Sequence, residues 1–260
     1  MHNLSPLYTS ENVKFAYQIR WAMTLFTSGT RPMETTLEPV ASALELDGIR
    51  VLSYRYAEPS MVQLTLSVKP HLSPQTIVQR VKGRLWYAWK NESLVKIDKK
   101  YSLRSYGTQE RKIIEQYVAG QASHHTMATE KATALFEELT FIDPTVELAR
   151  PIEIGNSLLW YNLHIVVVHV ERWRTVNKRL LEAVRDMIRR VCKKYEWRLS
   201  RCGIVADHLH LALGANPQDA VEDVCLRLMN NLAFVHDMKP VYCHSVYVAT
   251  FGEYDQRALQ

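Results

Sequence analysis

The sequence predicts an α+β fold in which helices pack against antiparallel sheets. Its composition, with 47% hydrophobic and 23% charged residues, is that of a chain able to bury a core. Segments with the apolar pattern of strands alternate with amphipathic segments that have the pattern of helices. Two parts of the chain also repeat the same order of such segments at similar spacing, which indicates an internal duplication.

The repeat is found when the segment around Gln63 is aligned with the segment around His210. Few letters are identical, but the order of the paired segments and the distances between them are kept. The pairs are Leu52-Ser53 with Leu199-Ser200, Leu64-Thr65-Leu66 with Leu211-Ala212-Leu213, Tyr17-Gln18-Ile19 with Tyr161-Asn162-Leu163, and Tyr106-Gly107 with Phe251-Gly252. We therefore expect a first unit over residues 1–123, a linker over 124–157 and a second unit over 158–260.

Each unit is predicted to run strand, helix, strand, helix, strand, helix. The β-branched run Ile165 to Val168 is typical of a buried strand. A helix over about 176–195 places apolar residues at three-and-four spacing. The other predicted elements are first strands at 17–26 and 161–170, second helices that start at Ser73-Pro74 and Asn216-Pro217, a helix over 108–125, and a helix over 130–139 in the linker.

Composition and charge exclude several classes of protein. No apolar run approaches the ~20 residues that span a bilayer, and residues 1–12 lack the pattern of a secretory signal. We therefore expect a cytoplasmic protein without a membrane partner. The four cysteines are too few and too widely spaced for a zinc ribbon or a disulfide scaffold. A net charge of +5 suits a polyanionic partner.

Two histidines in the second unit are candidates for binding a metal. Side chains two apart in a strand point to the same face, so His208 and His210 can reach one divalent cation while Leu209 points into the core. A pair of strand histidines that is merely solvated or hydrogen-bonded would have the same pattern. Asp207 could orient one imidazole or could simply mark the start of the strand.

A tyrosine and a glutamine in the first unit complete the candidate site. Tyr117 and Gln121 are one turn apart in the predicted helix over 108–125 and therefore share a face. A phenol has a pKa around 10, so as a nucleophile at neutral pH it needs a cation that stabilises the charge on the phosphate it attacks. The histidines of the second unit could supply that cation site.

Two segments resemble one known family. DHLHLAL at 207–213 resembles the histidine-hydrophobe-histidine (HUH) motif of the single-tyrosine transposases of bacterial insertion sequences and of their repeat-associated relatives. SLRSYGTQERKIIEQYVAGQ at 102–121 resembles the part of that family that runs from the last strand through a glycine turn into the tyrosine helix. The resemblance implies that Tyr117 is the nucleophile, that Gln121 completes the metal shell with His208 and His210, and that each unit is a ferredoxin-like (RRM-like) sandwich.

The departures from the family pattern divide the site between the units. The first unit has Met61 and Gln63 where the histidines belong, so it should hold no metal. The second unit reaches Gln260 only eight residues past Gly252, whereas Tyr117 lies ten past Gly107, so it should lack a nucleophile. Since members of the family usually act as homodimers, the chain resembles such a dimer fused into one pseudo-dimeric monomer with a single composite site.

The implied reaction is cleavage and rejoining of single-stranded DNA that carries hairpin ends. The resemblance implies that Tyr117 forms a 5′-phosphotyrosine link and releases a 3′-hydroxyl, with Mg²⁺ or Mn²⁺ as the metal and no nucleotide cofactor. It also places the protein in the bacterial cytoplasm, at the nucleoid when DNA is bound. Two alternatives stay open, namely a catalytically silent hairpin-binding descendant and a metal-dependent hydrolase or RNA-binding protein that uses the histidines alone.

A basic helix face is the candidate DNA contact. The predicted helix over 176–195 carries cations that could bind the phosphates of a hairpin, although a charged outer face is also the default for an amphipathic helix. The aromatic residues Trp173, Tyr195 and Trp197 could stack on unpaired bases. A weaker pattern of the same kind lies around Trp86, Tyr87 and Lys90. The candidate phosphate contacts are Lys178, Arg179, Arg185, Arg189 and Lys193.

Overall fold

A computed structural model describes residues 5–28, 37–58, 60–90, 95–124 and 129–253. The strands are β1 Lys14–Gln18, β2 Arg20–Ser28, β3 Ile49–Glu58, β4 Met61–Val68, β5 Lys96–Tyr106, β6 Phe141–Ile142, β7 Ile152–Ile154, β8 Ser157–Trp160, β9 Asn162–His169, β10 Arg198–Ile204, β11 His208–Gly214 and β12 Tyr242–Thr250. The helices are α1 Glu38–Leu46, α2 Pro74–Trp89, α3 Arg111–Ala119, α4 Gln121–His124, α5 Glu130–Leu139, α6 Lys178–Lys194 and α7 Val221–Val235. A single 3-10 turn, Val170–Arg172, follows β9.

The described strands form two six-stranded sheets. Sheet A has the order β1-β12-β9-β11-β10-β6, and sheet B has the order β3-β4-β2-β5-β8-β7. All ladders are antiparallel except β1 with β12 and β5 with β8. The predicted α+β fold with largely antiparallel sheets is therefore confirmed. None of the described helices is long and apolar enough to cross a membrane.

Four strands of each sheet follow the same path. If β2 to β5 and β9 to β12 are each counted from one to four along the chain, β12-β9-β11-β10 of sheet A and β5-β2-β4-β3 of sheet B both have the order four, one, three, two. Both halves also have a β-bulge at the same point of equivalent strand pairs. It lies between Val51 and Ser53 in the β3–β4 pair and between Leu199 and Arg201 in the β10–β11 pair. Equivalent strands can therefore be aligned residue by residue.

The strand registers correct two of the predicted pairings. Gln63 lies opposite Thr24, and His210 lies opposite Val166, so Ile19 rather than Tyr17 is equivalent to Tyr161. The alternation of strand side chains has a period of two, and a slip of two residues therefore leaves the apolar pattern unchanged. Val51 lies opposite Leu66 and Leu199 lies opposite Leu213, so Leu52, not Ser53, is equivalent to Ser200.

The first short strand of each half pairs with a strand in the sheet of the other half. The predicted strand over 17–26 is in fact two strands, because the chain breaks at buried Ile19 and β1 pairs with β12 of sheet A. At the equivalent break, buried Tyr161, β8 leaves β9 and pairs with β5 of sheet B. The two sheets are thereby joined at two places by parallel strand pairs.

Reciprocal hydrogen bonds join the sheets where β5 and β12 end. The buried Thr250 hydroxyl accepts from Arg20 N at 2.8 Å and donates to Tyr106 O at 2.7 Å. The equivalent hydroxyl, Ser105 Oγ, accepts from Asn162 N at 2.9 Å and donates to Phe251 O at 3.1 Å. Because both hydroxyls are buried, each bond satisfies backbone groups that water cannot reach.

The same reciprocity recurs at the start of two helices. Gln75 N donates to Pro217 O at 3.3 Å, and Glu222 N donates to Pro70 O at 3.0 Å. The predicted start of α2 at Pro74 is confirmed, with the Ser73 side chain as its cap. The predicted start at Asn216-Pro217 is wrong, because Asn216 Oδ1 instead accepts from Gln218 N in a turn and α7 begins at Val221.

The segment predicted as a linker contributes to both sheets. It contains the predicted helix α5, whose Phe136 and Leu139 are buried, and two short strands. One of them, β6, extends sheet A beside β10, and the other, β7, extends sheet B beside β8. The described part of this segment, residues 129–157, therefore forms folded structure between the halves rather than a bare connection.

Gly107 tests the contact between the sheets. A Cβ atom at Gly107 would lie 2.2 Å from the Thr250 carbonyl oxygen, so we expect Gly107→Ala to lower the free energy of unfolding by about 1–3 kcal/mol. The matched control is Gly83→Ala in α2, where nothing lies within 4 Å; there alanine should raise stability by about 0.5–1 kcal/mol. Urea titration of both variants measures the difference, and equal effects would refute this account of the crossing.

Candidate active site

Helix α3 follows β5 of sheet B in the chain but packs on sheet A. The chain turns at Gly107 after β5, and α3 then contacts β10 and β11. Buried Val118 packs with Ala212 and Phe251 in a small apolar cluster. Buried Ser200 of β10 donates a hydrogen bond to the Glu115 carboxylate, which is paired with Arg111 on its other side. A helix from the first half of the chain thus covers one face of the second half's sheet.

Tyr117 lies beside histidines of the second half. Its ring centroid is 5.4 Å from that of His210 and 6.0 Å from that of His164, with edge-to-face geometry in both cases. It is also 5.6 Å from the His124 ring at the end of α4. The side chain is 41% exposed although His208 and His210 are buried. The phenol therefore faces both the histidines and solvent.

Gln121 reaches the same face after a break in the helix. The predicted single helix over 108–125 is wrong, because α3 ends at Ala119 and the chain restarts as α4 at Gln121, after Gly120. Gln121 is fully buried, and its Nε2 donates to Tyr117 O at 2.9 Å. A Cβ at Gly203 would lie 2.8 Å from Gln121 Cγ. Glycine at this position therefore allows α4 to lie directly on β10.

Gly203 and His210 lie directly opposite each other in the β10–β11 ladder. Directly opposed residues point to the same face of a sheet, so His210 and Gln121 share a face. His208, two residues away, shares it as well. The structure therefore brings together the four residues predicted from the two motifs.

The histidines are held by specific hydrogen bonds. His208 Nδ1 lies 2.6 Å from Asp207 Oδ1. A carboxylate can only accept there, so Nδ1 carries the hydrogen, and in the neutral ring Nε2 is the nitrogen with a lone pair. His210 Nδ1 lies 3.0 Å from Nε2 of His164, and the two rings are stacked with centroids 5.3 Å apart. Both motif histidines are thereby oriented through Nδ1.

Burial and charge set the protonation of these groups. Burial lowers the pKa of His164 to about 4, so this ring is neutral at pH 7. Burial of Asp207 alone would raise its pKa, but the hydrogen bond from His208 and two nearby arginines hold the pKa below its usual value. The Asp207 carboxylate is therefore charged and able to accept from His208, as expected for a residue that orients an imidazole.

Two residues of this face were not predicted from the sequence. His164 belongs to the apolar strand β9, where its spacing from the His208 motif gives no signal. Tyr247 of β12 lies opposite Val166, which in turn lies opposite His210, so it shares their face, and its ring centroid is 6.1 Å from that of His164. Only the order of strands in sheet A places these side chains together, and a sequence pattern does not contain that order.

The donor set fits a hard divalent ion only if an amide joins the imidazoles. Among the described residues no three His, Cys, Asp or Glu side chains are grouped to hold an ion. Two imidazoles and the buried Gln121 amide form a mixed nitrogen and oxygen set of the kind that Mn²⁺ or Mg²⁺ accepts. The His208–Asp207 bond is the usual outer contact of a metal-bound histidine. The residues present therefore fit the implied metal.

The predicted DNA-contact cations lie on the opposite face of sheet A. Helix α6 packs through Leu181, Val184 and Ile188 in the core that contains Leu209 and Leu211, away from the histidines. Three of its five predicted contact residues have acidic neighbours. These are Lys178 beside Glu138, Arg185 at 3.4 Å from Asp186, and Arg189 at 4.0 Å from Asp186. The structure does not bring these five cations to the tyrosine and the histidines.

The aromatic residues near α6 have different environments. Trp197 is buried and its Nε1 donates to Asp219 at 2.9 Å, so the expectation that it stacks on bases is wrong. Tyr195 stacks on Trp197 instead. Trp173 is 47% exposed and stays a candidate. In the first half, Trp86 and Tyr87 are exposed, whereas Trp89 belongs to the core.

Residues 158–236 match the family described as "Transposase IS200 like". The matched segment contains β9, α6, β10, β11 and α7, and with them His164, His208 and His210. It covers less than a third of the chain and does not include Tyr117 or Gln121. The match supports a relationship of the second half to IS200-like transposases, which are DNA-processing enzymes.

Other comparisons add no argument about fold or function. A proposed glycine cleavage system transcriptional repressor aligns at 7% identity and a TM-score of 0.24, over 91% of this chain and 99% of that chain. A protein of unknown function from Galdieria sulphuraria aligns at 11% identity and a TM-score of 0.23, over the same shares. Scores this low do not indicate a shared fold. Comparison with curated proteins gives no match.

Gly203→Ala tests how α3 and α4 are held on sheet A. The new Cβ would lie 2.4 Å from Val118 O as well as against Gln121, so both helices should be displaced. We expect faster hydrogen exchange of the α3 amides and a loss of about 1–3 kcal/mol in stability. Helix α2, which packs on sheet B, is the internal control and should keep its protection. Unchanged exchange in α3 would show that its contact with β10 is not close.

Proposed function

We propose that the protein is a single-strand DNA transposase with one composite active centre. In this proposal Tyr117 of the first half acts with His208 and His210 of the second half on single-stranded DNA that carries hairpin ends. The observation that carries the proposal is the 5.4 Å approach of the partly exposed Tyr117 ring to the His210 ring. The family match of residues 158–236 supports the same reading.

We infer further that the chain is a pseudo-dimer of two ferredoxin-like units. The shared strand path, the matching bulges and the reciprocal bonds of Ser105 and Thr250 are what a two-fold relation between the units would produce. One chain then supplies both the histidine sheet and the tyrosine helix. A monomer in solution, in the bacterial cytoplasm, follows from this proposal.

The residues around Tyr117 are suited to transesterification. The Tyr117 oxygen would attack phosphorus and form the Oη–P bond while the P–O3′ bond breaks. The phenolic proton would finally reside on the released O3′, leaving a 5′-phosphotyrosine and a 3′-hydroxyl. The number of phosphodiester bonds is conserved, so the released hydroxyl of another strand can reverse the step without a nucleotide cofactor.

His208, His210 and Gln121 would hold the Mg²⁺ or Mn²⁺. When bound, the ion would supply positive charge for the phosphate oxygens as charge builds up there. Asp207 and His164 orient the two imidazoles through Nδ1. Gln121 would bind the ion through its amide oxygen, because an amide nitrogen has no lone pair to offer and its Nε2 donates to Tyr117 O. The same hydrogen bond fixes the ligand relative to the nucleophile.

The cations of α6 stay candidates for contact with hairpin phosphates. Lys178, Arg179, Arg189 and Lys193 are exposed, and Arg185 is half-buried. Their place on the far face of sheet A favours a role in holding duplex DNA away from the cleavage point. Acidic neighbours reduce the net charge that this face can offer, so we expect a modest contribution from each.

A covalent adduct tests the nucleophile. With labelled single-stranded DNA hairpins and Mn²⁺, the native chain should give an adduct that survives a denaturing gel, and Tyr117→Phe should give none, because the ring contacts remain but the oxygen is gone. Tyr247→Phe is the matched control, since this phenol lies on the same face near the same histidines, and it should keep the adduct. An adduct that persists in Tyr117→Phe would assign the nucleophile elsewhere. No adduct on any hairpin would favour a silent DNA-binding descendant.

Metal binding tests the role of His164. Removing the ring leaves His210 Nδ1 without its hydrogen-bond partner, so His164→Ala should weaken Mn²⁺ binding about 10–100-fold by calorimetry. EDTA should also abolish the adduct, and Mn²⁺ or Mg²⁺ should restore it. The control is His236→Ala, a buried histidine bonded to Tyr242 at 3.2 Å, which should lose stability and keep its Mn²⁺ affinity. Equal affinities in the two variants would contradict the positioning role.

A further inference from the structure

Among the described residues, no helix covers the face of sheet B that corresponds to the active face of sheet A, and we call it the uncovered face. Thr24, Gln63 and Arg55 form one row across β2, β4 and β3, and Ser102 of β5 continues it. These side chains are all half-buried, whereas the equivalent His210 and Gly203 are buried under α3 and α4. The helices with extensive contacts to sheet B, α1 and α2, lie on its other face, against Leu64 and Leu66.

Arg55 is incompatible with a helix packed on this face as α4 is packed on sheet A. It occupies the position equivalent to Gly203, because each lies opposite the equivalent residue of the next strand, Gln63 or His210. Its Nε donates to Gln63 Oε1 at 2.7 Å, so the guanidinium lies on the sheet surface. A helix packed as closely as α4 is on β10 would collide with this side chain.

Cations on aromatic rings mark two points of the uncovered face. Lys100 Nζ lies 4.9 Å above the Phe26 ring, and the Arg104 guanidinium lies 3.9 Å above the Trp160 ring. Lys100, Ser102 and Arg104 are alternate residues of β5 and so form one line, about 6.6 Å from each to the next. The acidic residues in the strands of sheet B are Glu58 and Glu153 in its edge strands and Asp98 in β5. Arg104 also donates a hydrogen bond to Glu253 O at 3.0 Å.

We propose that this uncovered face, defined by Arg55, Lys100, Arg104, Phe26 and Trp160, is a second, non-catalytic binding surface for single-stranded DNA. Cations that follow a line suit a phosphate chain, and rings beside them suit the unpaired bases, which every nucleotide presents as flat apolar surfaces. The line along β5 continues through Gly107 into the helix that carries Tyr117. The surface would therefore hold the part of the DNA strand that flanks the cleavage point.

This inference rests on the proposed function only for the identity of the ligand, single-stranded DNA. Its test measures binding and needs no cleavage. In the Tyr117→Phe background, fluorescence anisotropy would measure binding of a labelled 20-nucleotide single strand over a salt series. Lys100→Gln and Arg104→Gln should each weaken binding several-fold and reduce the slope of log affinity against log salt by about 0.7. Phe26→Leu should weaken binding about 5-fold or more through lost stacking.

Lys131→Gln is the matched control. Lys131 is an exposed lysine of α5, a helix that contacts α4, α6 and β10 of sheet A and not the uncovered face of sheet B. Affinity and slope should stay unchanged in this variant, and thermal melting of every variant would show whether the fold is intact. Equal losses in Lys131→Gln and Lys100→Gln, or no loss in either, would overturn the proposal.

Two further comparisons distinguish a single-stranded DNA surface from a surface for another nucleic acid and from the proposed active site. RNA of the same sequence, or duplex DNA, bound more tightly than the single strand would also overturn it. An adduct by the native chain together with unaltered binding by Lys100→Gln and Arg104→Gln removes this surface but leaves the proposed function standing. Weakened binding by these two variants without any adduct from the native chain would support this surface and contradict the proposed function.

Discussion

The crossing of β5 and β12 decides where the tyrosine helix can go. Ser105 and Thr250 bind the backbone of the opposite half, and Gly107 and Gly252 let the two chain segments approach to distances that a side chain would prevent. Because the segment after β5 is carried across this contact, α3 lies on the sheet of the other half. The position of Tyr117 beside the histidines of the other half is therefore a consequence of backbone packing between the sheets.

The two halves differ on their equivalent faces in a mutually consistent way. Gly203 admits α4, and the sheet beside it has the histidines. Arg55 excludes such a helix, and the sheet beside it has Met61 and Gln63, with Gln63 bound by that arginine. On sheet B, Met61 and Gln63 at the positions of the histidines therefore coincide with a side chain at the position of Gly203. The uncovered face is a polar surface with aromatic and cationic side chains.

The sequence predicted the features that local pattern controls. The α+β class, the capped start of α2, helix α6 and the shared face of His208 and His210 all follow from periodicity and capping. It could not predict side chains brought together by strand order, as with His164 and Tyr247. The pairing of Tyr17 with Tyr161 failed because a slip of two residues preserves apolar alternation. The pairing of Ser53 with Ser200 failed because the β3–β4 hairpin has one residue more than the β10–β11 hairpin between equivalent positions of its strands. The break at Gly120 was not predicted, because one glycine inside a helical pattern does not show whether the helix continues or ends there.

Mixing two inactive variants tests the central claim most directly. If Tyr117 acts with the histidines of its own chain, Tyr117→Phe and His210→Ala proteins combined in equal amounts should give no covalent DNA adduct by mass spectrometry, whereas the native chain gives one on Tyr117. Each variant then lacks an essential part of its only centre. Recovery of the adduct in the mixture would show that tyrosine and histidines come from different chains, and would contradict a site closed within a single chain.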